Sequence, residues 1–353
     1  MIKPAPPSRS LFSFRPGIAA FRKLLGKSGL DITATAVDRW QVAPGSTISV
    51  RPAKMLAGQL DRIRGAEFGT VDEVVRDFMG GFDSIQAATI AYRMENVLLL
   101  DGVLYSGEAA RHLKQRTTHL PVCRTPAPIA SGALYESWLG NRWFGNWLSD
   151  DCLTYRLAEA AAQPFTTTPA IGHKYDYEQR LGIQTTRVSS ALFEQLVLFD
   201  DHAHNSHRRE RAMDMRRRLI GDEPPRHPGV FLLRGTSGDQ RVLRNENAIA
   251  EYLAARRGFQ ILDPMKADVD GIVRACAGAL VVAGVEGSHL VHGLMMMPPE
   301  ARALVIQPPA RAVSALKLIT DRQGQDYSLV VGVGTNEAFD ADAQEIERTL
   351  DLA

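Results

Sequence analysis

Two strand-to-helix turns in the second half of the chain carry groups whose chemistry suits a diphosphate. The first follows the apolar run Phe231-Leu232-Leu233 and opens on Arg234. A Gly/Ser loop then brings Arg241 and Arg244, and a helix begins near Asn245. The second turn breaks an apolar run at Gly284-Val285-Glu286-Gly287-Ser288-His289. Guanidinium groups offer forked donors that match phosphate oxygens. A glycine lets backbone N–H groups approach an anion, and a helix start adds a favourable dipole. Arg234 ends a strand, where ligands of open α/β sheets sit, and one of Arg241 and Arg244 is expected to join it. Gly287 would admit the phosphate, Ser288 would cap the helix, and His289 could contact the anion. Glu286 fits another task, because a carboxylate repels phosphate; it could hold ribose or sugar hydroxyls, or bond amides of the turn.

A second constellation lies in the first half. The segment from Tyr135 to Tyr155 holds Trp138, Trp143, Phe144 and Trp147 and carries Asp150 and Asp151. Aromatic rings stack on the apolar faces of sugars, and attack by a sugar hydroxyl needs a group to take its proton. Asp150 is the candidate base. The plainer reading puts both aspartates in the first turn of a helix from Leu148 to Ala162, where acids suit the dipole. Asp200, Asp201, His202, His204 and His207 follow no standard metal-ligand spacing, so a polar cleft wall or interdomain contact is expected of them. His292 is expected inside its helix, and Met295, Met296 and Met297 in the core.

These groups need a scaffold. With 353 residues, 45% of them apolar, the chain is long enough for two packed domains. The Gly/Pro-rich stretch 221–229 places a boundary between an N-terminal α/β domain, 1–220, and a C-terminal one, 221–353. After it the pattern alternates cleanly. Strands are expected at Val230–Arg234, Phe259–Leu262, Ala279–Ala283, Ala303–Ile306 and Tyr327–Val331. Helices are expected at Asn245–Gly258, Asp268–Ala277, Ser288–Met296, Ser314–Arg322 and Asp340–Leu350. Such alternation means a parallel sheet with right-handed crossovers. In the first half, Asn96 to Tyr105 reads as a hairpin about Asp101-Gly102. Pro169–Gly172 and Leu196–Phe199 look like strands, and Arg208–Ile220 like a helix.

A net charge of +1 argues against a dedicated nucleic-acid binder. Cys123, Cys152 and Cys276 show neither disulfide nor zinc spacing. No apolar run reaches the length of a membrane span, the first residues lack the apolar core of a secretory signal, and a cytoplasmic location is the simplest expectation. Ile18 to Leu25, with Arg22, Lys23 and Lys27, could form a short basic amphipathic helix, which allows peripheral contact with the inner face of a membrane.

With these residues in view, the sequence resembles glycosyltransferase family 61, which includes bacterial capsular-polysaccharide-type transferases. The resemblance runs from about Glu95 to Val331. It rests on Trp143-Phe144-Gly145-Asn146-Trp147-Leu148-Ser149-Asp150, the segment from Asp201 to Leu219, Leu233-Arg234 through Arg241 to Asn245-Glu246, and Gly284 to Ser288 continuing to Pro298-Pro299. It implies a GT-B-like α/β architecture of two Rossmann-like domains facing across a cleft. It also implies inverting transfer from a nucleotide-sugar donor to a glycan or glycolipid acceptor, with no metal or other cofactor. On that pattern Asp150 and Glu286 are the catalytic candidates. Arg234, Arg241, Arg244, Gly287, Ser288 and His289 are assigned to the donor, and Asn146, Trp147 and Asn205 to the acceptor side. One departure stands out: Asn146 occupies a position where the family usually has histidine, and an amide cannot act as a base. Two rival classes remain. An epimerase-like nucleotide-binding enzyme would need a Gly-x-Gly-x-x-Gly fingerprint, which is absent; a catalytically silent sugar-binding protein is the other.

Overall fold

The apolar runs Val230–Leu232, Val281–Val285, Arg302–Gln307 and Asp326–Val331 are buried along nearly their whole length. Strands covered on both faces belong to parallel sheets flanked by helices. In the computed structural model, which describes residues 11–26, 30–235, 241–335 and 337–352, they form such a sheet. For reference, the first-half elements that matter below are helix α1 (Arg15–Leu24), β1 (Asp38–Ala43), β2 (Thr89–Leu100), β3 (Val103–Ser106), β4 (Ala109–His112), β5 (Pro128–Leu134), α2 (Trp138–Arg142), α3 (Cys152–Ala161), β6 (Pro164–Thr166), α4 (His173–Leu181), β7 (Thr186–Arg187), β8 (Ser190–Asp200) and α5 (Ser206–Ile220). The second half supplies β9 (Val230–Leu232), α6 (Glu246–Arg257), β10 (Gln260–Leu262), α7 (Val269–Cys276), β11 (Val281–Val285), α8 (Leu290–Leu294), β12 (Arg302–Gln307), α9 (Ala315–Gln323), β13 (Asp326–Val331) and α10 (Ala343–Leu350).

The second sheet is wholly parallel in the order β10-β9-β11-β12-β13. From β9 the chain steps to one side, then crosses back to lay β11 on the other. The switch point therefore lies between β9 and β11, and ligands of doubly wound sheets bind outside the carboxyl ends there. Leu232 pairs with Gly284, which sets Arg234 and Glu286, each two residues further on, side by side. Helix signals fall where the sequence puts them: Asp268 caps α7 by accepting from Gly271 N at 2.7 Å, and Gly258 closes α6 in the left-handed conformation. Two helix starts differ from expectation. The Asn245 side chain turns away from α6 and clasps Ala341, donating to its carbonyl at 2.7 Å and accepting from its N–H at 3.3 Å. Ser288 does not cap a long helix, because α8 is a single short turn beginning at Leu290. The Gly/Ser stretch 236–240 and Lys27 lie outside the described residues.

The first half is built on a mixed sheet, in the order β7-β6-β5-β8-β2-β3-β4 with β1 also paired to β2. Strands β5 to β8 pair in parallel among themselves, whereas β8-β2, β2-β3, β3-β4 and β1-β2 are antiparallel. That order departs from a Rossmann-like sheet. The physical cause is local: Asp101 and Gly102 both take positive φ (49° and 72°) and close a tight hairpin in place of a helical crossover. Pro169–Gly172 forms no strand; the strand of that region is β6. Where a continuous helix is expected from Leu148, a π-helical turn, Trp147–Asp151, leads into α3.

A single cluster of buried apolar residues runs from Ala53 through Trp147 and Met215 to Val331, so the two halves share one core. The segment before β2 ties them further, since Lys54 N donates to Tyr327 O at 2.8 Å and its carbonyl accepts from Leu329 N. At the inner end of β8, Asp201 accepts from both terminal nitrogens of Arg211 at 2.8 and 2.7 Å, and from Thr89 and Thr154 hydroxyls. Removing one partner of a buried pair strands the other charge. Asp201→Ala is therefore expected to lower unfolding free energy by about 3–5 kcal/mol in a urea titration; a loss of less than ~1 kcal/mol would contradict this as the pin that holds α5 to the sheet.

Candidate active site

The turn after β9 is shaped by Glu246, the first residue of α6. Its carboxylate accepts from Arg234 N and Gly235 N, each at 2.8 Å, which fixes the turn and holds the buried Arg234 side chain over the sheet end. Arg234 Nη1 also donates to Arg241 O at 3.2 Å. Arg241, itself buried, donates from Nε to Glu286 O at 3.0 Å and lies 3.2 Å from Glu286 Oε2. Arg311, from the loop after β12, approaches the same carboxylate oxygen at 3.6 Å and pairs with Glu67 at 3.0 Å. Glu286 thus sits among cations, and its charge is offset before any ligand arrives.

Gly287 is the centre of this arrangement. A Cβ there would lie 3.1 Å from His289 Nδ1, 3.3 Å from Arg241 Nη2 and 3.4 Å from Arg234 Nε, and its φ of 155° is one side chains rarely adopt. Only glycine lets three nitrogen-bearing side chains close over the backbone in this way. Among the described residues no acceptor is paired with the backbone N–H of Gly287 or Ser288. Burial, with Arg234 nearby, pushes His289 down to about 3, so this ring faces the site as a neutral hydrogen-bonding group rather than a cation.

The first half meets this turn through Gly145. A Cβ on it would stand 3.1 Å from both Cα and Oγ of Ser288, and so close a backbone contact carries the next turn of chain against the sheet end. A cavity of about 160 Å³ lies at the junction. It is lined by Trp143, Asn146, Asp150 and His204 from one half and by Arg241, Glu286, Gly287, Ser288 and Arg311 from the other. Asp150 is oriented twice: Asn146 Nδ2 donates to it at 2.8 Å, and Arg208, almost wholly buried, forms an ion pair with it. Asn146 thus steadies the Asp150 carboxylate. Asp150 also borders a second cavity of about 600 Å³ whose walls include Tyr92, Glu136, Trp138, Asp151 and His202. Burial raises Asp151 well above the ordinary carboxylate range despite a bond from Ser137 Oγ at 2.7 Å.

Other expected site residues lie elsewhere. Arg244 is on the surface, ion-paired with Asp340, and is not part of the cavity wall. Trp147 is 1% exposed and packs between Phe144 and Tyr177, with Lys174 Nζ 5.0 Å from its ring centre. It belongs to the core; Phe68 and Trp143 line the smaller cavity, and Tyr92, Tyr135, Trp138 and Phe199 the larger. Asn205 is fully buried as the cap of α5, accepting from Arg208 N and donating to Ala87 O and Thr89 Oγ1. His292 shares a 2.6 Å hydrogen bond with Tyr177 in the interior. Sequence reasoning missed Arg311 and Arg208; His204, expected in a polar cleft wall or interdomain contact, lines the smaller cavity. Among the described residues no group of three or more His, Cys, Asp or Glu side chains is placed to hold a metal ion.

The fold and the cleft define a mixed α/β protein whose candidate site lies at the switch point of a doubly wound sheet, faced by a carboxylate from the other half. The family model for glycosyltransferase 61 matches residues 119–304, which span both walls of that cleft, and the chain belongs to this family. No curated protein matches it.

His204, His289 and His292 are all held below their ordinary value, chiefly by burial. Each stays neutral in the fold and takes a proton more readily once unfolded, so the unfolded state binds more protons as acid is added. Stability is therefore fully present above pH 6.5, the ordinary histidine value, and for His289 is lost as pH falls from there toward about 3. His289→Asn should flatten the acid limb of a thermal-melt series against pH; an unchanged slope would mean that the ring is not buried as described.

Proposed function

We propose that the protein is an inverting glycosyltransferase that moves a sugar from a nucleoside-diphosphate donor to a glycan or glycolipid acceptor in surface polysaccharide synthesis. The observation that carries this reading is the closure of Arg234 and Arg241 over Gly287 at the switch point of β9 and β11. Donors fixed in advance where negative charge grows on a departing diphosphate lower the barrier without reorganisation. We assign that task to Arg234 and Arg241, with the amides of Gly287 and Ser288, and a supporting contact to neutral His289. Arg244 has no part in it. Glu286, held by Arg241 and Arg311, would orient hydroxyls of the donor.

Asp150, at the meeting of the two cavities, would take the proton from the attacking acceptor hydroxyl. Its bond from Asn146 and its pairing with Arg208 fix the carboxylate toward the junction. The larger cavity, with Trp138 and Tyr92 on its wall, would receive the acceptor. In this reading the chain divides near residue 220 into acceptor-side and donor-side halves of GT-B organisation, and phosphate charge is met by guanidinium groups. A silent sugar-binding protein is the second reading, and Asn146 is what favours it.

The two readings part on substitution. Asp150→Asn is expected to lower transfer by about 10²–10⁴-fold while leaving the melting shift produced by nucleoside diphosphates intact. Arg234→Ala should abolish that shift and turnover together, with an unfolding midpoint near that of the parent. Donor hydrolysis that survives both changes would contradict the assignment, and a parent protein that binds nucleotide without ever releasing it from sugar would favour the silent reading.

A further inference from the structure

Helix α1 wears its apolar face outward. Phe14, Ile18, Phe21 and Leu25 recur at helical spacing and are 60%, 44%, 62% and 57% exposed; Leu11, Phe12, Leu24 and Leu120 are also largely exposed around them. A surface helix of a globular protein normally turns its apolar stripe to the core. Here the inner face is made of small residues instead. Pro16 is buried and Ala19 packs against the cluster of Leu98, Val103, Tyr105 and Leu192. Gly17 N donates to Pro121 O at 2.9 Å, and Arg15 donates to Asn96 O at 2.7 Å. The helix is thus anchored by its small side while its large side chains stand free. Clustered exposed apolar residues of this kind mark an interaction surface.

The charge around the stripe says which surface. Lys23, His119 and Arg124 are exposed at its border, and Arg116 lies half-buried beside them. Glu108, which lines the cavity beneath the helix, is taken up by an ion pair with Arg22. Beneath the helix, against β3 and β4, lies a cavity of about 580 Å³ lined in part by Arg22, Lys23, Arg116 and His119. Aromatic and aliphatic groups ringed by cations match the boundary between acyl chains and anionic headgroups. We infer that α1 docks the protein on an anionic lipid bilayer, with Phe14, Ile18, Phe21 and Leu25 in the acyl boundary and the basic rim on the headgroups. The helix has 10 residues, and among the described residues no helix is long and apolar enough to cross a membrane, so the contact lies in the plane of the surface. His112 lines both the cavity under α1 and the larger cavity that reaches Asp150. A lipid-borne acceptor would therefore arrive on the side that leads to the carboxylate. That corollary rests on the proposed transfer reaction, whereas docking does not.

The test is sedimentation of the full chain with phosphatidylcholine vesicles, with and without phosphatidylglycerol. Binding is expected to the anionic vesicles and to weaken as salt is raised. Lys23→Glu should weaken it at least about fivefold, as expected for loss of one basic group near an anionic surface. Phe14→Ser with Phe21→Ser should remove it while the melting shift with nucleoside diphosphates stays as in the parent. Equal binding by parent and variants would overturn the inference, and so would equal binding to neutral and anionic vesicles. If the serine changes instead dissociate a dimer seen by analytical ultracentrifugation and leave vesicle binding unchanged, the face belongs to a second copy and the inference fails.

Discussion

Cations gathered at the buried end of a sheet repel one another unless anions join them, and this constraint organises the cleft. Arg234, Arg241 and Arg311 all reach the end of β9, β11 and β12. Glu286 answers Arg241 and Arg311, and Glu246 answers Arg234 through the backbone of its turn. The balance is held by single-residue geometry: a side chain at Gly287 would push the guanidinium groups apart. Low local dielectric makes these charges strong toward an incoming anion and costly if left apart. An anion at the Gly287 turn would meet groups already in place.

The opposite wall depends on packing more than on charge. Gly145 must be small for the Trp143–Asp150 segment to approach Ser288, and Trp147 fills the space behind it. Asp150 is then held at the junction by Arg208, whose backbone N–H is in turn fixed by the buried Asn205 cap. Asp201, paired with Arg211, ties the same helix to the strand end. The carboxylate facing the Gly287 turn is therefore the last link of a chain of buried contacts that begins in the central strands of the first sheet. A change in that chain would move Asp150 without touching it.

Much of the second half is legible in the sequence because its signals are local. Apolar runs of strand length and Gly258 as a helix stop each act within a turn or two. The Asp101-Gly102 hairpin is legible for the same reason. What escapes is direction and distance. Tryptophan has one composition signal whether it stacks on a sugar or fills a core, so Trp147 and Trp138 could not be told apart. Arg241 and Arg244 differ only in which way the chain turns after a stretch of glycine and serine. Arg311 is some seventy residues from Arg241, and nothing short-range joins them. The rest of the mixed first sheet is hidden, since beyond that hairpin nothing local shows that β8 and β1 lie antiparallel to β2. The family relation was visible from the ordered motifs, whereas the neutral state of His289 follows from burial that only the fold creates.

The central claim is that the turn joining β11 to α8 is built to receive a diphosphate. Hydrogen–deuterium exchange of the full chain, with and without uridine, guanosine or adenosine diphosphate, addresses it most directly. The account predicts slowed exchange at the backbone amides of Gly287 and Ser288 for at least one of these ligands. Binding that slows exchange elsewhere and leaves those two amides unchanged would contradict it.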